Sequence, residues 1–142
     1  MSTTNRQWLL KERPLSLVGP EHFKLVESAL PEPDLAAGQV LLKTLMLSFE
    51  PAMRGWLDDV PSYMPPVGIG EPMRAPGVCQ VIRSDNRQLP EGTLVQCMAN
   101  WQEYSVGDPS AASSPRALRE GTSPNLALGV FGGTSLTAYF GL

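Results

Sequence analysis

Apolar residues along this chain come in short runs closed off by proline and glycine, and the spacing inside most runs predicts strands. The first run is Asn5 to Glu12, where Trp8, Leu9 and Leu10 sit among polar residues ahead of Pro14. A second spans Phe23 to Leu30, with Phe23, Leu25 and Val26 expected to face inward before Pro31 and Pro33 end it. The third, Gln39 to Leu47, carries six large apolar residues in nine and reads as a strand buried on much of both faces. Gly77 to Arg83, Thr93 to Ala99 and Trp101 to Val106 predict three more strands, with a polar connection at Asp85 to Gly92 and a tight turn at Asn100.

Two segments break this rhythm. Ala52 to Leu57 predicts a single helical turn, with Pro51 at its start where a missing N–H costs nothing. Asp58 to Pro76 holds Pro61, Pro65, Pro66, Pro72 and Pro76 and must be loop, yet Tyr63, Met64, Val67, Ile69 and Met73 require it to pack against something. Pro109 to Thr122 reads as surface loop. Beyond it Ser123 and Pro124 cap a short helix, and Thr134 to Leu142 starts a second, with Leu136, Tyr139 and Phe140 on one face. That last helix reaches Leu142 without a capping signal, as a sequence continuing into another domain would.

Composition narrows the class. At 142 residues, with 42% hydrophobic and 18% charged, the chain fits one domain with a real core. Its net charge of -3, with acids and bases mixed along the chain, builds no basic face for nucleic acid. The start of the chain lacks the apolar stretch of a signal peptide, and no segment nears the ~18 uninterrupted apolar residues of a membrane span. The cytoplasm is the expected compartment. Cys79 and Cys97 each sit in an apolar run and are expected to be reduced, buried thiols; a disulfide between them is allowed by geometry but not implied.

Candidate chemistry is sparse. One histidine, His22, and two separated cysteines cannot supply zinc ligands in short-range pairs, so no metal site is expected. No serine sits in a nucleophile elbow, and neither Gly68-Ile69-Gly70 nor the Gly129 to Gly133 stretch makes a dinucleotide-binding turn. Asp58 and Asp59 read as a solvated pair. What stands out is Leu47 to Trp56, which sets a hydroxyl (Ser48), a carboxylate (Glu50) and a guanidinium (Arg54) just after the most buried strand. Two readings stay open: these groups line a pocket, or Glu50 caps the turn and Arg54 pairs with it locally.

The run Leu47 to Gly55 resembles the LSxDPxMRG block of the zinc-independent medium-chain reductases. That family includes prostaglandin, leukotriene and 2-alkenal reductases and bacterial NADPH-dependent curcumin-reductase-like relatives. Further likenesses follow in register: Gln7 to Leu10 with Arg13-Pro14, Ser62-Tyr63, Pro65 to Val67, Gly70 to Met73, Gly77-Val78, Trp101 to Tyr104, and Leu136 to Leu142. Where zinc-bearing relatives carry Gly-His-Glu, this chain has Arg74-Ala75-Pro76.

The resemblance implies a mainly β fold, a GroES-like, partly open β-barrel with a few short helices across 1–142, and an NADPH-binding Rossmann domain outside this chain. It implies reduction of an α,β-unsaturated ketone or aldehyde by NADPH, without zinc, in a full-length homodimer. It assigns no catalytic residue here. Ser48, Glu50, Met53 and Tyr63 become the expected substrate-binding residues, and Thr137 and Tyr139 the expected cofactor-side residues, with plain core packing the alternative for Met53 and Tyr139. The family's usual aspartate and aromatic are replaced here by Glu50 and Ala52. The competing expectation is a stand-alone GroES-like binding module without catalysis.

Overall fold

The computed structural model describes residues 4–111 and 113–141; Met1 to Thr3, Ala112 and the expected last helical residue, Leu142, lie outside them. Among these residues the chain is mainly β. Strands β1 (Thr4–Leu10) and β2 (Phe23–Ala29) form an antiparallel ribbon. β3 (Val40–Leu47), β4 (Pro76–Ser84), β5 (Leu94–Met98), β6 (Tyr104–Gly107) and β7 (Arg116–Ala117) form a five-stranded antiparallel sheet in the order β6-β3-β4-β5-β7. Three short helices complete it: α1 (Ala52–Gly55), α2 (Pro124–Leu128) and α3 (Gly133–Gly141). This is the expected partly open barrel, and no helix among the described residues is long and apolar enough to cross a membrane.

The ribbon and the sheet become one body through the second edge of β1. Trp8 N–H donates to Trp101 O (2.9 Å) and Met73 N–H to Trp8 O (3.0 Å). Leu10 exchanges similar bonds with Glu71 and Gly70. At the near end of β6 a side chain takes over from the backbone: Asn5 Nδ2 donates to Tyr104 O, and Asn5 Oδ1 accepts from Tyr104 N–H, each at 2.9 Å. Asn5 is 2% exposed, the buried polar residue of the fold, and both ends of its amide are matched.

Two apolar clusters fill the interior. One joins Leu10 and Phe23 of the ribbon to Met53, Trp56 and Leu57 around α1 and to Val67, Met73 and Ala75 of the proline-rich segment. The other lies within the sheet, around Val40, Leu42, Cys79, Val81 and Val95. Leu47 packs against both. Close approach between strands requires glycine at Gly77, where a Cβ would come within 2.7 Å of the Ala99 Cβ and 2.8 Å of Met46 O.

Several expectations are corrected. Leu25 does not face the core: its cross-strand partner is Trp8, and both remain about half exposed because the core reaches only the Leu10–Phe23 end of the ribbon. Likewise Leu45, Tyr63 and Ile69 are exposed. The strand expected from Trp101 begins at Tyr104; Trp101 to Glu103 instead run beside β1, turned there by Asn100 at φ 61°. The loop expected over 109–122 contributes the two-residue β7 against β5. On α3 the predicted apolar face is present in sequence but unburied, with Leu136, Tyr139 and Phe140 all exposed.

Because Asn5 satisfies two buried backbone groups at once, Asn5→Ala should lower unfolding stability by about 2–3 kcal/mol. Asn5→Asp should do no better, since a carboxylate has no N–H for Tyr104 O. Urea unfolding with an unchanged m-value would report the loss directly.

Candidate functional site

The segment after β3 takes its shape from continued pairing. Ser48 N–H donates to Pro76 O (2.9 Å), extending the ladder one residue past the strand and fixing where the chain turns. Ser48 Oγ then donates to Glu50 Oε1 at 3.1 Å, so the hydroxyl and carboxylate expected from the sequence do meet. Glu50 N–H points at Met53 Sδ (3.3 Å), and Glu50 O accepts from Met53 N–H (3.0 Å), which closes the turn into α1. Met53 itself is 6% exposed and packed in the core beneath this turn, so it supports the Ser48–Glu50 pair from below.

Arg54 does not pair with Glu50. Its Nη1 donates to Asp58 Oδ1 at 2.7 Å, one helical turn on, and its Nη2 donates to Ser16 O (3.2 Å) and Pro14 O (3.4 Å). Arg13 donates to Leu57 O (2.7 Å) and lies 3.9 Å from Asp59, so the two aspartates are each paired with an arginine. These contacts clip the 13–16 segment onto α1 and leave Leu15 and Leu17 in solvent.

Tyr63 stands on the proline-rich segment, tied to the core by Trp56 Nε1, which donates to its hydroxyl at 2.6 Å. Arg74 places its guanidinium 5.8 Å from the Trp56 ring centre and donates to Pro65 O (2.8 Å), holding the same segment from the other side. The Tyr63 ring is 75% exposed and lines a shallow depression formed by Asp59 to Pro66. Ser48 and Glu50 do not line it. On α3, Thr137 Oγ1 donates to Gly133 O of its own helix (3.0 Å), and Tyr139 meets Phe140 edge-on. The structure thus joins Ser48 with Glu50 and supports them on Met53, but leaves Tyr63, Thr137 and Tyr139 separate from them.

A larger groove, about 600 Å³, lies on the opposite side of the 47–50 turn. It is lined by Arg6, Trp8, Leu25, Leu47, Phe49, Trp101, Gln102 and Glu103. Alternation along the chain explains the division: Ser48 and Glu50 hydrogen-bond to each other, while Leu47 and Phe49 reach the groove. Trp101 forms its floor, with ring centres 4.9 Å from Phe23 and 5.6 Å from Phe49, and its buried Nε1–H has no acceptor among the described residues. The sequence marks Trp8 and Leu25 as strand residues but none of the lining as a site; the signal for it is the concentration of Trp8, Phe49 and Trp101 in the family-like blocks.

At the polar lip, Glu103 accepts from the backbone and guanidinium of Arg6. The guanidinium hydrogen bonds hold the Glu103 carboxyl below the usual glutamate range. Among the described residues, no three His, Cys, Asp or Glu side chains come together as a metal-binding group.

With fold and geometry in place, comparison with known proteins is informative. Residues 6–114 match the family described as the N-terminal domain of oxidoreductase. The NADPH-dependent curcumin reductase of Escherichia coli is 38% identical over 138 residues, covering 97% of this chain and 39% of that protein. Prostaglandin reductase 1 of Sus scrofa is 33% identical over 138 residues, covering 96% and 39% respectively. Among solved structures, CurA from Vibrio vulnificus in complex with NADPH superposes with a TM-score of 0.84 at 38% identity, over 96% of this chain and 40% of CurA. The chain therefore spans about two fifths of the length of these relatives.

The Glu103 carboxyl is favoured as its ion in the folded chain. Its contact with Arg6 is thus present above the ordinary glutamate pKa and lost as pH falls through the lowered folded value. Carboxyl-resolved NMR titration should show Glu103 titrating below a free glutamate, and Arg6→Gln should return it toward the ordinary value. For Met53, core placement predicts that Met53→Ala costs about 2–4 kcal/mol by thermal or urea unfolding. A pocket-lining methionine would cost much less.

Proposed function

This chain belongs to the family of N-terminal domains of oxidoreductases, and on that premise we propose that it is the substrate-side domain of an NADPH-dependent oxidoreductase. The reaction we infer is reduction of the C=C bond of α,β-unsaturated ketones and aldehydes. The observation that carries this reading is the Ser48–Glu50 hydrogen bond at the end of β3, next to an aromatic groove. Support also comes from the curcumin reductase and prostaglandin reductase relatives and from the NADPH complex of CurA.

The residues present fit only one end of the cofactor. From Gly121 to Gly141 there is no lysine or arginine, so α3 and its approach offer no positive charge to phosphates. The uncharged nicotinamide end is better matched by the Ser48 hydroxyl and the exposed Phe49 ring. Thr137 and Tyr139 stand as cleft-side candidates. NADPH, when bound, supplies the hydride to the β-carbon of the substrate.

What this chain's own residues do follows from their bonding. The Ser48 hydroxyl has one proton to give and now gives it to Glu50. Turned toward a substrate carbonyl, it would donate to the oxygen on which charge develops. Glu50 sets the rotamer of that hydroxyl, and Met53 sets the turn that carries Glu50. Ala52 is exposed beside this pair and leaves room that an aromatic residue would fill. Tyr63, apart from this pair in the chain, is a candidate for substrate contact through its own depression at 59–66.

The same reading places the full-length protein in the cytoplasm as a homodimer, with phosphate binding in a second domain. One observation favours a second reading, a non-catalytic binding module: Trp8, Phe49 and Trp101 gather their rings along one groove. A full-length protein should oxidise NADPH with enones, and the 142-residue chain should not. Ser48→Ala in the full-length protein should lower kcat by about 10²-fold with little change in folding. Steady-state assays decide. Turnover by the isolated chain, or an unaffected kcat in Ser48→Ala, would sink the enzymatic reading as stated; aromatic ligands quenching Trp101 fluorescence without any turnover of the full-length protein would favour the module.

A further inference from the structure

Two cysteines left unused by this chemistry face each other across neighbouring strands. Cys79 on β4 lies opposite Val95, and Cys97 on β5 lies opposite Gly77. Their side chains therefore leave the same face of the antiparallel pair, one diagonal step apart. The two Sγ atoms are 3.6 Å apart, and both thiols are free. Cys79 is wholly buried and also contacts Thr44 Oγ1 at 3.8 Å. Cys97 is partly exposed and, with Leu42, Met98 and Ser105, lines a small, partly open pocket of about 120 Å³. That is several times the roughly 30 Å³ share of one water molecule, enough for a peroxide.

We propose that Cys79 and Cys97 are a reversible oxidation site, which a small hydroperoxide converts into an intrachain disulfide joining β4 to β5. The Cys97 thiolate, reached through the pocket, attacks one oxygen of hydrogen peroxide. The O–O bond breaks, Cys97 becomes a sulfenic acid, and the departing hydroxide takes the thiol's proton as water. The Cys79 thiolate then attacks the Cys97 sulfur; the S–S bond forms and the sulfenic oxygen leaves with the second thiol proton as water. Two thiols lose two electrons and two protons, and one peroxide becomes two waters.

Geometry favours the step, while the electrostatics rest the charge on Cys79. A disulfide needs the sulfurs at about 2.05 Å, closer than the present contact. Side-chain rotation and a small local shift of β5 against its β4 ladder must supply the difference; on its outer edge β5 is held by β7 only at Val95 and Gln96. Donation from the Cys97 S–H draws the Cys79 thiol below its ordinary value, against burial, while the same contact and burial push Cys97 up. One proton held between two sulfurs lets the pair carry a single negative charge, resting on Cys79, and that proton must pass from Cys97 to Cys79 before the Cys97 sulfur can attack. The inference does not depend on the proposed enzymatic activity.

The test is to treat the purified chain with hydrogen peroxide, alkylate the remaining thiols, digest without reductant and map peptides by mass spectrometry. The expected result is a peptide pair joined through Cys79 and Cys97, lighter by two hydrogens and released by dithiothreitol, in a chain that stays single on a non-reducing gel. In Cys79→Ala the resolving thiol is gone, so Cys97 should stop at the sulfenic acid and trap dimedone several-fold more than wild type. Should that variant fail to fold, the wild-type map decides alone. Overoxidised Cys97 without the joined peptide, disulfides between separate chains, or two thiols still open to alkylation would each overturn the proposal.

Discussion

A strand has two hydrogen-bonding edges, and β1 uses both. One edge pairs with β2 over seven residues; the other is shared between the 70–73 segment, the 101–103 segment and, at Asn5, the backbone of Tyr104. Without that second edge the ribbon would be an isolated hairpin, marginal in water, and the first apolar cluster would lose Leu10 and Phe23. Asn5 matters because strand geometry runs out there. β6 reaches β1 through a single residue, and only a side-chain amide, with donor and acceptor side by side, can imitate the missing backbone.

From this closure the two faces of the 47–50 turn acquire different environments. Leu47 packs against both cores, so the chain leaving β3 has little freedom. Phe49 is directed toward Trp101 and the ribbon, and Ser48 is left to bond Glu50. The exposed Trp8–Leu25 pair, which looks like an error of burial in a lone hairpin, becomes one wall of a groove whose other wall is Phe49. Among the described residues the buried Trp101 N–H meets no acceptor, an arrangement that costs stability. The fold accepts that cost at the floor of the groove, where ring faces rather than hydrogen bonds are presented.

Strand positions were legible from the sequence because proline and glycine spacing sets them locally, and so were the Ser123 cap of α2 and the turn at Asn100. Burial was less legible. Leu25 follows the alternation that buries Phe23, yet where the core ends along a ribbon depends on tertiary curvature that no local pattern encodes. Pairing was mixed. Ser48 and Glu50, two residues apart, could be anticipated together; Arg54 could not be given to Asp58, Ser16 and Pro14, since two of those partners lie some forty residues away. The groove is not legible in the sequence because its walls come from four separate segments, 6–8, 25, 47–49 and 101–103. Nor could the sequence show that Cys79 and Cys97 touch, because register, not spacing, brings them together.

Tyr63 illustrates how a structural anchor leaves a chemical group uncommitted. Its oxygen receives the Trp56 N–H, which fixes the ring by its inner lone pair and leaves the phenolic hydrogen unspent. Accepting one hydrogen bond makes the phenol a somewhat stronger giver of the next. A group reaching this depression with a carbonyl or other lone pair would therefore find a polarised O–H anchored on the Trp56 indole.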